Sequence, residues 1–217
     1  MHSMISSPAR TGRLATLTLV LLLTIGVFVE SAAALALDPQ ANVRGFYDTL
    51  LGTMKNGQIL GQSGRYARLA PVVDRVFDVA SMTRLAIGSS WATLPPAQQQ
   101  QLIEAFRHYI AATYADRFDS YSGEQLQVTG EQRYNADVIV QTKIVKSDGE
   151  TTTLNYLMRQ NQGSWRISDV YLDGTISQLA VQRSEFNSIL RREGVDGLVM
   201  ALNRKADLLS RGVARSS

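Results

Sequence analysis

Between Thr151 and Gly174 apolar and polar positions alternate. Leu154, Tyr156 and Met158 fall on one face, Thr153, Asn155, Leu157 and Arg159 on the other. Period-two alternation with β-branched and aromatic residues predicts a strand. Asn161-Gln162-Gly163 predicts the turn that follows, because glycine supplies a positive φ there, and Trp165 to Leu172 predicts the returning strand. Asp137 to Lys146 alternates in the same way, with Val138, Val140, Thr142 and Ile144 on one face, and Ser147-Asp148-Gly149 turns it into the hairpin. Gln125 to Thr129 is a further candidate strand. The expectation is a meander of three or four antiparallel strands whose apolar face must be buried.

Helical spacing governs the remainder. Asp38-Pro39 predicts a helix start, an N-cap acceptor followed by proline at the first helical position. Val43, Phe46, Tyr47, Leu50, Leu51 and Met54 form its apolar stripe. A second helix is expected over Gly64 to Asp78, with Val72, Val73, Val76 and Phe77 inward and Pro71 as a start or a kink. Ala80 to Leu94 predicts a short helix and a tight corner at Gly88-Ser89-Ser90. Pro95-Pro96 opens the longest helix, to about Ser120, with a stripe of Leu102, Ile103, Phe106, Tyr109, Ile110, Thr113, Tyr114 and Phe118. Two helices end the chain, Ile176 to Glu193 and Val195 to Ser210. The fold class is α+β, helices over one face of a small antiparallel sheet.

The N-terminus changes this picture by removing residues from it. Arg10 and Arg13 precede an apolar run of 16 residues, Leu14 to Val29. That is short of the roughly 20 residues that span a bilayer. Ala34-Leu35-Ala36 has the form of a secretory cleavage site. Residues 1–36 are expected to be a signal peptide, cleaved after Ala36 or, alternatively, after Ala34. Residues 37–211 then form one domain, and residues 212–217 a frayed tail. The net charge of +3 for the chain falls to near +2 without residues 1–36. That balance is too even for a nucleic-acid binder. From Thr175 onward Arg183, Arg191, Arg192, Arg204, Lys205, Arg211 and Arg215 outnumber Glu185, Glu193, Asp196 and Asp207, so the positive excess sits in the C-terminal helices.

Candidate chemistry is sparse. There is no cysteine, which excludes disulfides and thiolate sites. His108 is the one histidine after residue 36, four residues beyond Glu104 on a polar helix face, and predicts a surface pair rather than a catalytic or metal-binding group. No metal site and no cofactor are expected. Asp169 interrupts a strand between Ile167 and Tyr171. It is either a base with a raised pKa or a structural acceptor fixing the strand to a helix.

Several strings resemble one family. They are Phe77-Asp78-Val-Ala-Ser-Met82-Thr-Arg84-Leu-Ala-Ile-Gly88-Ser-Ser-Trp91, Tyr156-Leu-Met-Arg159, Gly163-Ser-Trp165-Arg166-Ile-Ser-Asp169-Val170, Gly174-Thr-Ile-Ser177, Arg183-Ser184-Glu-Phe186-Asn-Ser-Ile189-Leu190 and Gly194-Val-Asp-Gly197-Leu198. Their order and spacing over Val43 to Leu209 are similar to the MlaC family of periplasmic lipid-binding proteins, also called the toluene-tolerance family. Ala112 to Glu124 and Tyr171 to Phe186 look closer to its hopanoid-associated HpnM branch. Gly174-Thr-Ile-Ser177 and Val181-Gln-Arg183 depart from the phospholipid-carrier pattern of a Gly-Val-Ser step followed by Asn-Tyr-Arg.

The resemblance implies an NTF2-like arrangement in which a curved sheet and its helices enclose an apolar lipid pocket. It also implies shuttling of phospholipid or a hopanoid-type lipid between an inner-membrane transporter complex and an outer-membrane complex; a monomer is expected. Stripe and resemblance together place the lining at Phe46, Leu50, Phe77, Met82, Leu85, Trp91, Phe106, Ile110, Tyr114, Val140, Tyr156, Met158, Val170 and Leu172. The rival readings are a lipid-modifying isomerase or hydrolase with Asp169 as base and Tyr156 as donor, and a structural domain whose core is simply filled.

Overall fold

In the computed structural model, which describes residues 38–211, the first helix begins where its sequence predicts. The Asp38 side chain accepts from the Gln40 amide at 2.9 Å, and α1 spans Pro39–Lys55. It is followed by α2 (Gly57–Val76), α3 (Val79–Ile87), a 3₁₀ turn at Gly88–Thr93, and α4 (Pro96–Arg117). Then come β1 (Gln125–Tyr134), β2 (Asp137–Val145), β3 (Thr151–Asn161), β4 (Ser164–Leu172) and the two-residue β5 (Ile176–Ser177). The last element is α5 (Gln178–Ser210). The expected signal segment, residues 1–36, and the tail, residues 212–217, lie outside the described residues.

The strands form one antiparallel sheet in the order β1-β2-β3-β4-β5. Gln162 and Gly163 both adopt positive φ, 50° and 79°, so the β3–β4 connection is the primed two-residue turn that suits the twist of paired strands. Val138, Val140, Thr142, Tyr156, Met158 and Ile167 are buried, while Gln141 and Lys143 are exposed, which leaves one face wetted. The helices cover the other face. Phe46 sits at the centre of the layer between them, edge-on to Phe77, Tyr114 and Tyr156.

Several boundaries differ from the sequence expectation. The second helix starts at Gly57, not Gly64. It bends at Gly61, whose φ of 59° breaks the helix, and runs straight through Pro71. Gly57 cannot carry a side chain, since a Cβ there would lie 1.8 Å from the carbonyl oxygen of Asp119. α4 stops at Arg117, short of Ser120. β1 is twice its expected length, with Thr129 as an extra residue in its register to β2. Ile176 and Ser177 pair with Leu172 and Tyr171 as a fifth strand instead of opening a helix. The expected break between two C-terminal helices is a kink in α5 at Gly194, with φ 70°.

Candidate functional site

At one end of the layer between sheet and helices the side chains part. A cavity of about 170 Å³ opens between Phe77 and Met82 of the α2–α3 corner, Phe106, Tyr109, Ile110, Thr113, Tyr114 and Arg117 of α4, and the adjoining Phe118. Leu154 of β3, Asp169, Val170 and Leu172 of β4, and Gln178, Leu179 and Gln182 of α5 complete it. Hydrocarbon and aromatic surface makes most of the wall. The polar groups come from one helix end, the last two turns of α4, and from the β4–α5 corner.

Local sequence explains why these residues meet. Ser168 is an extra residue in the β3–β4 register, between the pairs Leu157–Asp169 and Met158–Ile167. Before this bulge Trp165 and Ile167 face the helices; after it Val170 and Leu172 do. Tyr114 and Phe118, one turn apart on α4, stack with ring centroids 5.7 Å apart and shape the opposite wall.

Asp169 ties β4 to the start of α5. Its Oδ1 accepts from the backbone amides of Val170 at 2.7 Å and Leu179 at 3.0 Å, and its Oδ2 accepts from the Ser177 hydroxyl at 2.5 Å. Ser177 Oγ in turn accepts from the Ala180 amide at 2.9 Å. The carboxylate is thus an acceptor at the N-terminus of α5, where a negative charge is also favoured by the helix dipole. Three donors occupy it, so of the two readings of Asp169 its geometry is the structural one, fixing β4 to α5.

Of the fourteen residues expected to line a pocket, Phe77, Met82, Phe106, Ile110, Tyr114, Val170 and Leu172 border the cavity. Phe46, Leu50, Val140, Tyr156 and Met158 do not. They are buried in the core, where α1 presses its stripe onto the sheet. Leu85 is 38% exposed on the outer side of α3. Trp91 lies half-buried in the 3₁₀ turn at the edge of the core. Tyr109, Thr113, Phe118 and Leu154 belong to stripes visible in the sequence. Arg117, Gln178 and Gln182 carry no such signal, since polar residues in a helix turn read as solvated, and Leu179 falls outside the stripes named from the sequence.

Tyr47 and Tyr156 lie behind the cavity, clustered with Tyr114, which borders it. Tyr47 and Thr142 share a hydrogen bond of 2.6 Å, while the Tyr156 hydroxyl, fully enclosed beside the other two tyrosines, makes no well-formed hydrogen bond. Burial raises all three phenol pKa values above the ordinary 10.0. Tyr156 is fully buried and does not border the cavity, so its hydroxyl does not reach a ligand there. His108 does not pair with Glu104 as expected. It packs edge-on to Tyr66 and lies 3.4 Å from Asn203 Oδ1, while Glu104 binds Gln100 and Arg107. Among the described residues no cluster of acidic or histidine side chains is arranged to hold a metal ion.

The fold is α+β, with an apolar cavity floored by the sheet and roofed by helices as the candidate site. The chain belongs to the MlaC family, whose model, described as "MlaC protein", matches residues 44–204. MlaC-family proteins are periplasmic, non-enzymatic lipid-binding carriers. Among solved structures the chain is similar to a phospholipid-binding protein from Ralstonia solanacearum, determined in complex with a phospholipid. The two are 25% identical with a TM-score of 0.67, over 80% of this chain and 99% of that one. No helix among the described residues is long and apolar enough to cross a membrane.

Proposed function

We propose that the protein is a periplasmic lipid carrier that takes acyl chains into the cavity between β3–β4, α4 and α5. The observation that supports this reading is the wall itself, an apolar enclosure inside a domain whose neighbouring core is filled. Each methylene moved out of water contributes about 0.8 kcal/mol, so the driving force grows with the length of chain taken in. A bilayer offers the same chain a similar environment, so exchange between the two needs little free energy and no catalyst. The phospholipid held by the Ralstonia solanacearum protein supports a diacyl lipid as cargo.

The finer reading is a hopanoid-type lipid, supported by the HpnM-like stretches Ala112 to Glu124 and Tyr171 to Phe186, the second of which forms the β4–α5 corner of the cavity. Organic extraction of the purified protein, followed by mass spectrometry, tests both. The expected result is one lipid per chain; protein free of lipid after gentle purification would count against the carrier reading.

Export follows from the same proposal. The signal segment, residues 1–36, gives a mature chain starting near Leu37, which N-terminal sequencing of the periplasmic fraction checks. Hand-over to inner- and outer-membrane complexes fits the exposed basic residues of α5. Arg191, Arg192 and Arg204 are exposed, while Lys205 is occupied by Glu185 and Arg215 lies outside the described residues. Reversing the charge of those three arginines should slow lipid transfer and weaken its salt dependence, with bound lipid unchanged.

A further inference from the structure

The two edges of the sheet are finished differently. Along β4, Ile176 and Ser177 pair with Leu172 and Tyr171 at one end, and at the other Phe77 bridges to Ile167, whose carbonyl accepts from the Asp78 amide at 2.9 Å. β1 has no such cover. Among the described residues its main chain bonds only to β2, and Glu131, Gln132, Arg133 and Tyr134 are exposed in a row. An edge strand turns alternate N–H and C=O groups outward, where water or a further strand takes them. The bulge at Thr129 bends the first half of β1, so its regular stretch is Gly130 to Tyr134.

That stretch, Gly-Glu-Gln-Arg-Tyr, complements itself when reversed. With two copies antiparallel about an axis through Gln132, Glu131 lies opposite Arg133 of the second copy, and Gly130 opposite its Tyr134. The faces agree. β2 sets Glu131 and Arg133 beside Val140 and Val138 on one face, and Gly130, Gln132 and Tyr134 beside Gln141, Ile139 and Asp137 on the other. Neither Glu131 nor Arg133 has an ion-pair partner among the described residues. Tyr134 is 56% exposed, and over a glycine its ring covers the gap that a missing side chain leaves. The two Gln132 carboxamides, each both donor and acceptor, meet at the axis.

We propose that β1 is a dimerisation edge, in place of the expected monomer: two copies of this chain pair antiparallel over Gly130 to Tyr134 and join their sheets into one. The ladder is short, so the dimer is weak and reversible, with a Kd on the order of 100 µM. β1 is the sheet edge remote from β4, so both cavities stay clear and the pairing is independent of what they hold.

The test is sedimentation equilibrium of the mature chain, read beside thermal melts that should match wild type for every variant, since the substituted residues are exposed. Wild type should pass from monomer to dimer as its concentration rises. Arg133→Glu sets like charges opposite each other and should weaken the dimer about tenfold, and Glu131→Arg should do the same. Combining the two substitutions restores opposite charges and should restore the dimer. The chain has no cysteine, so Gln132→Cys is a clean probe. Across the axis residue 132 faces itself with Cα atoms about 4.5–5.5 Å apart, within disulfide reach, and mild oxidation should cross-link it. Gln127→Cys, which the same register holds about 33 Å from its copy, should stay single. A wild type that remains monomeric at about 1 mM overturns the proposal. So does a dimer that Arg133→Glu leaves unchanged, and so does equal cross-linking of Gln127→Cys and Gln132→Cys.

Discussion

Around Phe46 the rings of Tyr47, Phe77, Tyr114 and Tyr156 lie with centroids 5.1 to 6.4 Å away, and Leu50, Val140 and Met158 are buried in the same core. Further along α4, Ile110 and Phe118 face Leu172 and Leu179 across open space. Both regions are built from the same residue types on the same two layers. What differs is the element opposite the sheet. α1 lies across the sheet, with its Tyr47 bonded to Thr142 of β2, its Phe46 edge-on to Tyr156 of β3 and its Asn42 amide donating to the Trp165 carbonyl of β4 at 2.7 Å. The first turn of α5 is instead pinned by Asp169, Ser177 and the short β4–β5 ladder, so it cannot settle into the gap beside it. A cavity persists where a hydrogen-bonded corner sets the spacing, and a core fills where side chains set it.

The largest effect should come from breaking the filled region. Phe46→Ala removes the ring that four others touch and should cost about 3–5 kcal/mol in urea melts. A loss below 1 kcal/mol, on the same order-of-magnitude scale, would mean that this region collapses as easily as a cavity wall.

Next is the pin. Asp169→Ala leaves the Leu179 amide and the Ser177 hydroxyl without their acceptor and should cost about 2–3 kcal/mol. Asp169→Asn keeps one acceptor and should lose about half as much, with copurifying lipid retained. If Asp169→Asn were as stable as wild type yet empty of lipid, Asp169 would touch the ligand rather than position α5.

The open region should forgive more. Leu172 is half-buried and borders the cavity, so Leu172→Ala gives up fewer contacts and should cost about 1–2 kcal/mol. Chemical denaturation of Leu172→Ala beside Phe46→Ala measures the contrast directly.

The smallest effect at neutral pH is expected behind the cavity. Tyr156→Phe removes a hydroxyl that makes no well-formed hydrogen bond and should shift stability by less than about 0.5 kcal/mol. Its consequence appears in alkali. Folded pKa values above the ordinary 10.0 mean that the folded protein holds these phenolic protons longer than the unfolded chain. Stability is therefore complete below pH 10.0 and is lost as the pH rises toward the folded values. Each such tyrosine steepens the loss by up to about 1.4 kcal/mol per pH unit. Alkaline melts of Tyr156→Phe should be shallower than wild type by one such contribution; equal slopes would show Tyr156 to be solvated.

The class of fold was legible because periodicity is a local property. Leu154, Tyr156 and Met158 alternate with polar neighbours, and the stripe from Leu102 to Phe118 repeats at three and four, whatever lies opposite. Other features were legible only in part. The turn at Gln162-Gly163 carries its own glycine, but the bulge at Ser168 has no such mark, and it alone decides that Val170 and Leu172 rather than Tyr171 face the helices. The fifth strand, Ile176–Ser177, is two residues long, too short for any alternation to show.

The residues of the chain by themselves determine which side of each element is apolar and where the hairpins turn, since backbone preference and side-chain spacing act over a few residues. Only the tertiary structure decides that Phe46, Tyr156 and Met158 are core while Ile110, Leu172 and Leu179 border a cavity. An inward side chain meets either another side chain or a void according to the distance between elements. That distance is set here by Asp169 reaching Leu179 and by α1 lying on β2, contacts between residues remote in sequence that no local pattern encodes.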